Sequence, residues 1–376
     1  MPSENFSAHE PLPQDEPSLG RRASNAPQTP APVRCDAAIR IVMVIPGGEH
    51  DQHLMPFVRR QFRDLAGVAG LDVQPFYLRS RIAPRALWRS RRELRRLCKT
   101  FRPHLIHAQF GTMTSFWTAT SGTFRDPTTW KWRPWGPRTQ LVISCRGSDL
   151  NPTPGDPWWR GTLARLLSQL ATLRARRVIC VSAELQQRLW WARSRSVVIP
   201  NGVDLETFGP VDQQLARAQL GWRSDQPVVL FNARNDPRGK RLDLAEGAVE
   251  IARQTIPNLR LEILRGTTPP QQMPIYLSAA NALLMTSDFE GSPNIVKESL
   301  ACNLPVVAVP VGDVPQRLEG VQPSAVCQRD PRDLGERLVE ILTAGGRSNG
   351  REIIARDLGS SAVAQRIAQL YRQTAG

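Results

Sequence analysis

Twice along this chain, short uninterrupted apolar runs alternate with stretches of helical period. IRIVMVI at residues 39–45 is apolar but for Arg40 and ends in the loop PGGEHDQH. FVRRQFRDLAGV follows with helical spacing, and LDVQPFYL, PHLIHAQFG, QLVISCRGSD, RRVICVSAEL and SVVIPNGVD each read as a buried strand running into a polar or Gly-rich turn. After a break near residues 205–225 the pattern restarts with PVVLFNARND, then a helix near 241–254, LRLEIL, a short helix, ALLMTS, another helix and PVVAV. A strand that is apolar on both faces must be covered on both, and helices between successive strands do this in a parallel sheet. The sequence therefore predicts an α/β protein with two doubly wound, Rossmann-like domains facing a central cleft. Their expected bounds are 39–205 and 206–360, with a last helix at 361–376.

Residues 1–38, rich in Pro, Ser, Ala and Gln, bury too little to order themselves and read as a disordered leader without the apolar core of a signal peptide. No apolar run is long enough to span a bilayer. The six cysteines show no paired spacing, and Cys145 and Cys180 fall inside strands, so free thiols in a reducing compartment, the cytoplasm, are expected. A net charge of +15 requires an anionic partner. Its densest part, Arg79 to Lys99, carries nine basic residues and one acid, with Leu87, Trp88, Leu94 and Leu97 at roughly helical spacing. Such a helix suits an anionic membrane surface. Nucleic acid would attract the same charge, but no nucleic-acid motif accompanies it and none is expected as partner. The competing reading is a surface helix whose apolar side faces the core. TTWKWRPWGPR, Thr128 to Arg138, sets three tryptophans among basic residues, for headgroup contact or for loop packing.

In open α/β sheets ligands sit beyond the carboxyl ends of the strands. That places PGGEH, CRGSD, NARND and SDFEGSP at the cleft. Neither first strand is followed by G-x-G-x-x-G, which disfavours a dinucleotide-dependent dehydrogenase. Glu290 lies in the turn after ALLMTS, and Glu298 eight residues on. Between them Ser292 reads as an N-cap and Pro293 as a first helical residue. The helix start offers free N–H groups to phosphate and the carboxylates suit a polyol. Arg234 and Lys240, in NARNDPRGKR, would stabilise a departing diphosphate. Arg238 and Arg241 read as surface residues.

At this point the chain resembles the retaining glycosyltransferases of family 4, which have the two-domain GT-B fold and an E-x7-E signature. LSAANALLMTSDFEGSPNIVKESLACNLPVVAVPVGDVP carries the signature, VIPNGVDLETF is similar to the inter-domain segment, and NARNDPRGKR to the diphosphate loop. The resemblance covers about residues 39–370. It implies sugar transfer from a nucleotide-sugar donor with retention and no essential metal or other cofactor. It further implies Arg234 and Lys240 on the diphosphate, Glu298 on the ribose and Glu290 on the transferred sugar. Gly291, Ser292, Pro293 and Asn294 would present backbone to the ligand, and Gly47 and Gly48 would let the first loop approach the phosphates. The last helix would pack back on the first domain. The loop CRGSD departs from the family's HG-x-D. Arg146 there would bind phosphate or an anionic acceptor, and Asp149 either touches acceptor or sugar or caps the next helix. With the basic region, the resemblance implies a glycan or lipid-linked acceptor and a peripheral place on the inner face of the membrane.

Other signals carry less. Asp288-Phe-Glu290 imitates a metal-binding acidic pair, and His50/His53 and His104/His107 are spaced like ligand pairs, but no third ligand joins either. His107 either reaches the cleft or is held in loop hydrogen bonds. Ser182 reads as a helix cap, and no nucleophile elbow is present. The rival readings are a nucleotide-sugar 2-epimerase of the same fold and a non-enzymatic basic module binding membrane or nucleic acid.

Overall fold

The computed structural model describes residues 38–51, 55–121, 124–125, 132–133, 139–151 and 158–375. Nearly all of the leader, and most of Thr128–Arg138, lie outside the described residues.

The first half runs β1 (Ile39–Pro46), α1 (Pro56–Ala66), β2 (Leu71–Leu78), α2 (Pro84–Phe101), β3 (Leu105–Ala108) and α3 (Thr112–Ser121). A two-stranded ribbon, β4 (Phe124–Arg125) and β5 (Trp132–Arg133), precedes β6 (Gln140–Cys145), α4 (Trp158–Thr172), β7 (Arg177–Cys180), α5 (Ala183–Gln187) and β8 (Ser196–Val198). Six of these strands form a parallel sheet in the order β2-β1-β3-β6-β7-β8. Ile41, Met43 and Ile45 of β1 belong to the core on one face, and Val42 and Val44 pack with Leu94, Ile106 and Trp117 on the other. The near-continuous apolarity of IRIVMVI is thus explained by a strand covered on both sides.

The second half runs α6 (Gln213–Leu220), β9 (Val228–Asn232), α7 (Leu242–Arg253), β10 (Arg260–Leu264), α8 (Met273–Ala279), β11 (Ala282–Met285), α9 (Asn294–Ala301), β12 (Val306–Ala308), α10 (Val314–Leu318), β13 (Ala325–Val326), α11 (Pro331–Ala344), α12 (Gly350–Ala355) and α13 (Ser360–Ala375). Its parallel sheet has the order β10-β9-β11-β12-β13. In both sheets the strand order reverses beside the first strand, between β1 and β3 and between β9 and β11, and the crevice beyond such a switch point is where α/β proteins take ligands. The connection between the halves is doubled: Val203 N–H donates to Leu358 O at 2.8 Å and Ser360 N–H to Val203 O at 2.8 Å. From there α13 returns to the first half and packs on α1, β1 and β3.

The basic helix corrects one expectation. Leu94 of α2 is buried, and Leu87 and Leu97 pack against the core cluster of β1, β2 and α3. The apolar stripe of α2 therefore faces the sheet; Arg85, Arg89, Arg92, Arg96 and Trp88 remain outside, while Arg91 and Arg95 are half-buried.

Candidate functional site

Between the two halves lies a cleft of about 570 Å³, and Arg234, Lys240, Glu290 and Glu298 all line it, with Gly291, Ser292, Pro293 and Asn294. The loop after β9 presents the two cations. Asp236 closes that loop by accepting Gly239 N–H at 2.9 Å and, through its backbone carbonyl, Lys240 N–H at 3.1 Å. Arg234 sits in the left-handed region at φ 48°, a conformation that a non-glycine residue holds only when its surroundings impose it. Lys240 Nζ forms an ion pair with Glu290 Oε1. Glu298 is on the second turn of α9, where burial pushes its carboxyl pKa up, opposed by Arg60, then Lys297 and Arg234. Arg241 pairs with Asp243 at 2.9 Å and with Asp288 at 3.4 Å, and Asp288 also meets Arg329 at 3.3 Å. Arg241 is therefore more than a plain surface residue, and the Asp288 carboxylate is matched by guanidinium groups. Among the described residues no three His, Cys, Asp or Glu gather as a metal cluster.

Helix α9 starts one residue later than the Ser292-Pro293 pattern predicts: Pro293 is its flanking residue, with no side-chain cap. Ser292 Oγ instead donates to Asp313 Oδ2 at 2.8 Å and accepts from Lys297 Nζ at 2.9 Å. Lys297 is a buried ammonium, also bonded to Asn201 O at 2.9 Å. Its burial lowers its pKa to about 8, with Asp313 and Glu298 pulling the other way. An unmatched buried charge costs more than an uncapped helix end, so the serine serves the lysine.

In the first half several expectations change. Asp149 is fully buried and touches no cleft surface. Its carboxylate accepts backbone N–H groups from Gly111 at 3.0 Å, Arg146 at 2.8 Å and Gly147 at 2.8 Å, so it shapes the loop instead of meeting a ligand or capping a helix. His107 is fully buried too, hydrogen-bonded to Tyr371 Oη at 2.6 Å, Ser144 Oγ at 2.8 Å and Gln109 Nε2 at 3.0 Å. It lies beneath the cleft and does not reach it, which decides its two readings in favour of internal hydrogen bonding. Gly47 and Gly48 are not among the cleft-lining residues; Gly48 N–H is held by Asp51 Oδ2 at 2.6 Å. Arg146 lines the cleft, but its N–H groups go to neutral acceptors: Gln109 O at 3.0 Å, Gln61 Oε1 at 2.6 Å, and the side chains of Gln109 and Asn201.

Two models of known families match the chain in succession. Glycosyltransferase Family 4 matches residues 39–207, and Glycosyl transferases group 1 matches residues 227–344. The first half of the chain thus carries a family 4 glycosyltransferase domain and the second a group 1 glycosyl transferase domain. It is 29% identical over 192 residues to D-inositol 3-phosphate glycosyltransferase from Geodermatophilus obscurus, covering 41% of this chain and 43% of that protein. The chain spans about 40% to 50% of the length of the curated relatives it matches. Its fold is similar to that of sucrose-phosphate synthase from Thermosynechococcus elongatus, with TM-score 0.66 and 19% identity over 89% of this chain and 98% of that one. It is also similar to Anabaena HepE in complex with UDP and glucose, with TM-score 0.59 and 16% identity over 88% and 99% of the two chains.

The two halves meet at named contacts. Asn151 Nδ2 donates to Glu290 O at 3.2 Å, Gly312 N–H donates to Glu184 Oε2 at 3.1 Å, and Asn201 joins Arg146 to Asn294. Gly291 allows the closest approach: a Cβ there would stand 2.6 Å from Arg146 O. Nothing in the sequence of the glycosyltransferase marks Arg60, which lines the cleft from α1, sits over Phe208 at 5.4 Å and lies 3.8 Å from Asp204. Lys297 did carry a signal. It shares a helical face with Val296, Leu300 and Ala301, all buried, so the α9 period already places an ammonium in the core.

Proposed function

We propose that this chain transfers a sugar from a nucleotide-sugar donor to an acceptor hydroxyl with retention at the anomeric carbon. The observation that carries the reading is the convergence of Arg234, Lys240, Glu290 and Glu298 on one cleft between two Rossmann-like halves. Arg234 and Lys240 bind the donor diphosphate and stabilise the charge that develops as it leaves, which makes a metal ion unnecessary. Glu298 receives the ribose hydroxyls, and the backbone from Gly291 to Asn294 faces sugar and phosphate. The bond from the anomeric carbon to the diphosphate breaks as the acceptor oxygen bonds on the same face, and the acceptor proton passes to the leaving phosphate. Glu290 positions the sugar and balances developing positive charge; it forms no covalent intermediate. An arriving diphosphate takes over Lys240 and releases Glu290 to the sugar. The acceptor is a lipid-linked or cell-surface glycan precursor, and the exposed basic side of α2 holds the protein to the inner face of an anionic membrane.

The first test is thermal stabilisation by UDP, GDP, ADP and their sugars, with and without EDTA. One nucleotide, UDP first on the precedent of the HepE complex, is expected to raise the melting temperature equally with and without EDTA. NMR of the product is expected to show the donor's anomeric configuration. A nucleotide sugar altered and released without acceptor would identify an epimerase and overturn transfer. No shift with any nucleotide would overturn the donor site.

A further inference from the structure

Helix α4 turns an apolar side to solvent. Trp158, Trp159, Leu163, Leu166, Leu170 and Leu173 are all exposed, Trp158 at 82% and Leu163 at 48%, while Ser168, Gln169, Ala171 and Thr172 face the protein. From Trp159 onward the exposed positions advance by alternating steps of four and three, so they form one continuous stripe along the helix. The stacked pair Trp190 and Trp191 lies near the C-terminal end of α4: Trp190 N–H bonds to Gln169 Oε1 at 3.1 Å, and Trp190 is exposed at 62%. A contiguous apolar patch of this extent marks a contact surface.

Its surroundings identify the occupant. Between Trp158 and Arg177 the chain has five arginines and no acid. Two copies of α4 laid face to face would oppose like charges, which disfavours self-association through this face. Helix α3 lies between α2 and α4: Trp117 Nε1 donates to Leu87 O of α2 at 3.3 Å, and Arg174 of the α4 end donates to Ala119 O of α3 at 3.1 Å. One layer of helices therefore presents a basic helix and an apolar, arginine-flanked helix side by side. The leucine stripe of α2 is turned inward, so α2 supplies mainly charge, with Trp88 exposed among its arginines, and α4 supplies the apolar surface. Trp158 and Trp159 stand at the α4 N-terminus, the end beyond the carboxyl edge of the first sheet and thus on the cleft side.

We infer that the Trp158–Leu173 face of α4 inserts into the interfacial region of an anionic lipid bilayer and holds the cleft toward the membrane surface. The inference rests on the membrane reading for its occupant, and its test separates the two. Flotation with phosphatidylglycerol-containing vesicles is expected to carry the wild type, and a Leu163→Ser/Leu170→Ser variant is expected to partition at least about tenfold less. Vesicles with brominated acyl chains are expected to quench wild-type fluorescence, and Trp158→Leu/Trp159→Leu to lose most of that quenching while still floating. An unchanged melting temperature and nucleotide-induced shift establish that the variants are folded. If the wild type floats, the serine variant floats equally well and the quenching is unaltered by the tryptophan replacement, the α4 assignment is overturned while α2 stands as the membrane contact. If the wild type ignores these vesicles, both readings fail. A wild-type dimer in light scattering that the serine variant dissociates would assign the face to a second copy and overturn the proposal.

Discussion

Glu290 and Lys240 neutralise each other at the cleft, and this pairing makes Glu290 the most informative single residue to change. Glu290→Gln keeps the shape and a hydrogen-bond acceptor but removes the charge that would face the anomeric carbon. Turnover is expected to fall by about a hundredfold or more, whereas nucleotide stabilisation should persist or grow, because Lys240 is freed for the diphosphate. Parallel loss of nucleotide binding and turnover would assign Glu290 to donor binding instead. At this scale the place of a residue at the cleft was legible where residue type and position coincide, as at Arg234, Lys240 and Glu290 in loops after strands and Glu298 on the helix that follows. It was not legible where a side chain's fate depends on a distant partner. His107 is drawn inward by Tyr371, 264 residues away, and Asp149, besides its local bonds to Arg146 and Gly147, is tied to the backbone of Gly111; no local pattern reveals either distant tie.

The loop from Glu290 to Pro293 and the loop from Arg146 to Asn151 act as a pair of elements. They approach so closely that Gly291 touches Arg146 O and Gly312 alike; a Cβ at Gly312, itself at φ 57°, would stand 2.5 Å from Gly291 O. Gly291→Ala cannot be accommodated without moving backbone, so it is expected to destabilise by about 1–3 kcal/mol and to part the two loops. A melting temperature within error of wild type would mean that the two halves separate freely and that this contact is not maintained in solution. Element type and order were readable because uninterrupted apolar runs leave a strand no arrangement but double coverage. The orientation of α2 was not, because its leucines repeat at a helical period that fits the core and a bilayer equally well. The answer lay in Val42, Val44 and Phe76, contributed by strands elsewhere in the chain.

Across the whole molecule, α13 ties the end of the chain to the first sheet, and the tie centres on a buried imidazole. Burial holds the His107 pKa at about 3, and the charge of Arg146 pushes the same way. Gln109 Nε2 donates to Nδ1, so the ring is neutral with its proton on Nε2, toward Ser144. As pH falls below about 6.5, the unfolded chain takes up a proton on this ring that the folded chain refuses until about pH 3. Stability contributed by this group is therefore complete above that window and declines as pH falls through it, by roughly a few kcal/mol at the acid end. Asp149 lies in the same buried region and opposes this trend, since burial raises its carboxyl pKa. His107→Gln retains hydrogen-bonding capacity but cannot titrate. Its melting temperature is expected to be lower than wild type at neutral pH, from lost packing against Tyr371, but to fall less steeply on acidification. Tyr371→Phe removes the phenol from the ring and should lower the melting temperature while preserving the wild-type acid slope. Equal slopes for wild type and His107→Gln would show that other groups govern acid unfolding and that the His107–Tyr371 contact is a packing contact alone.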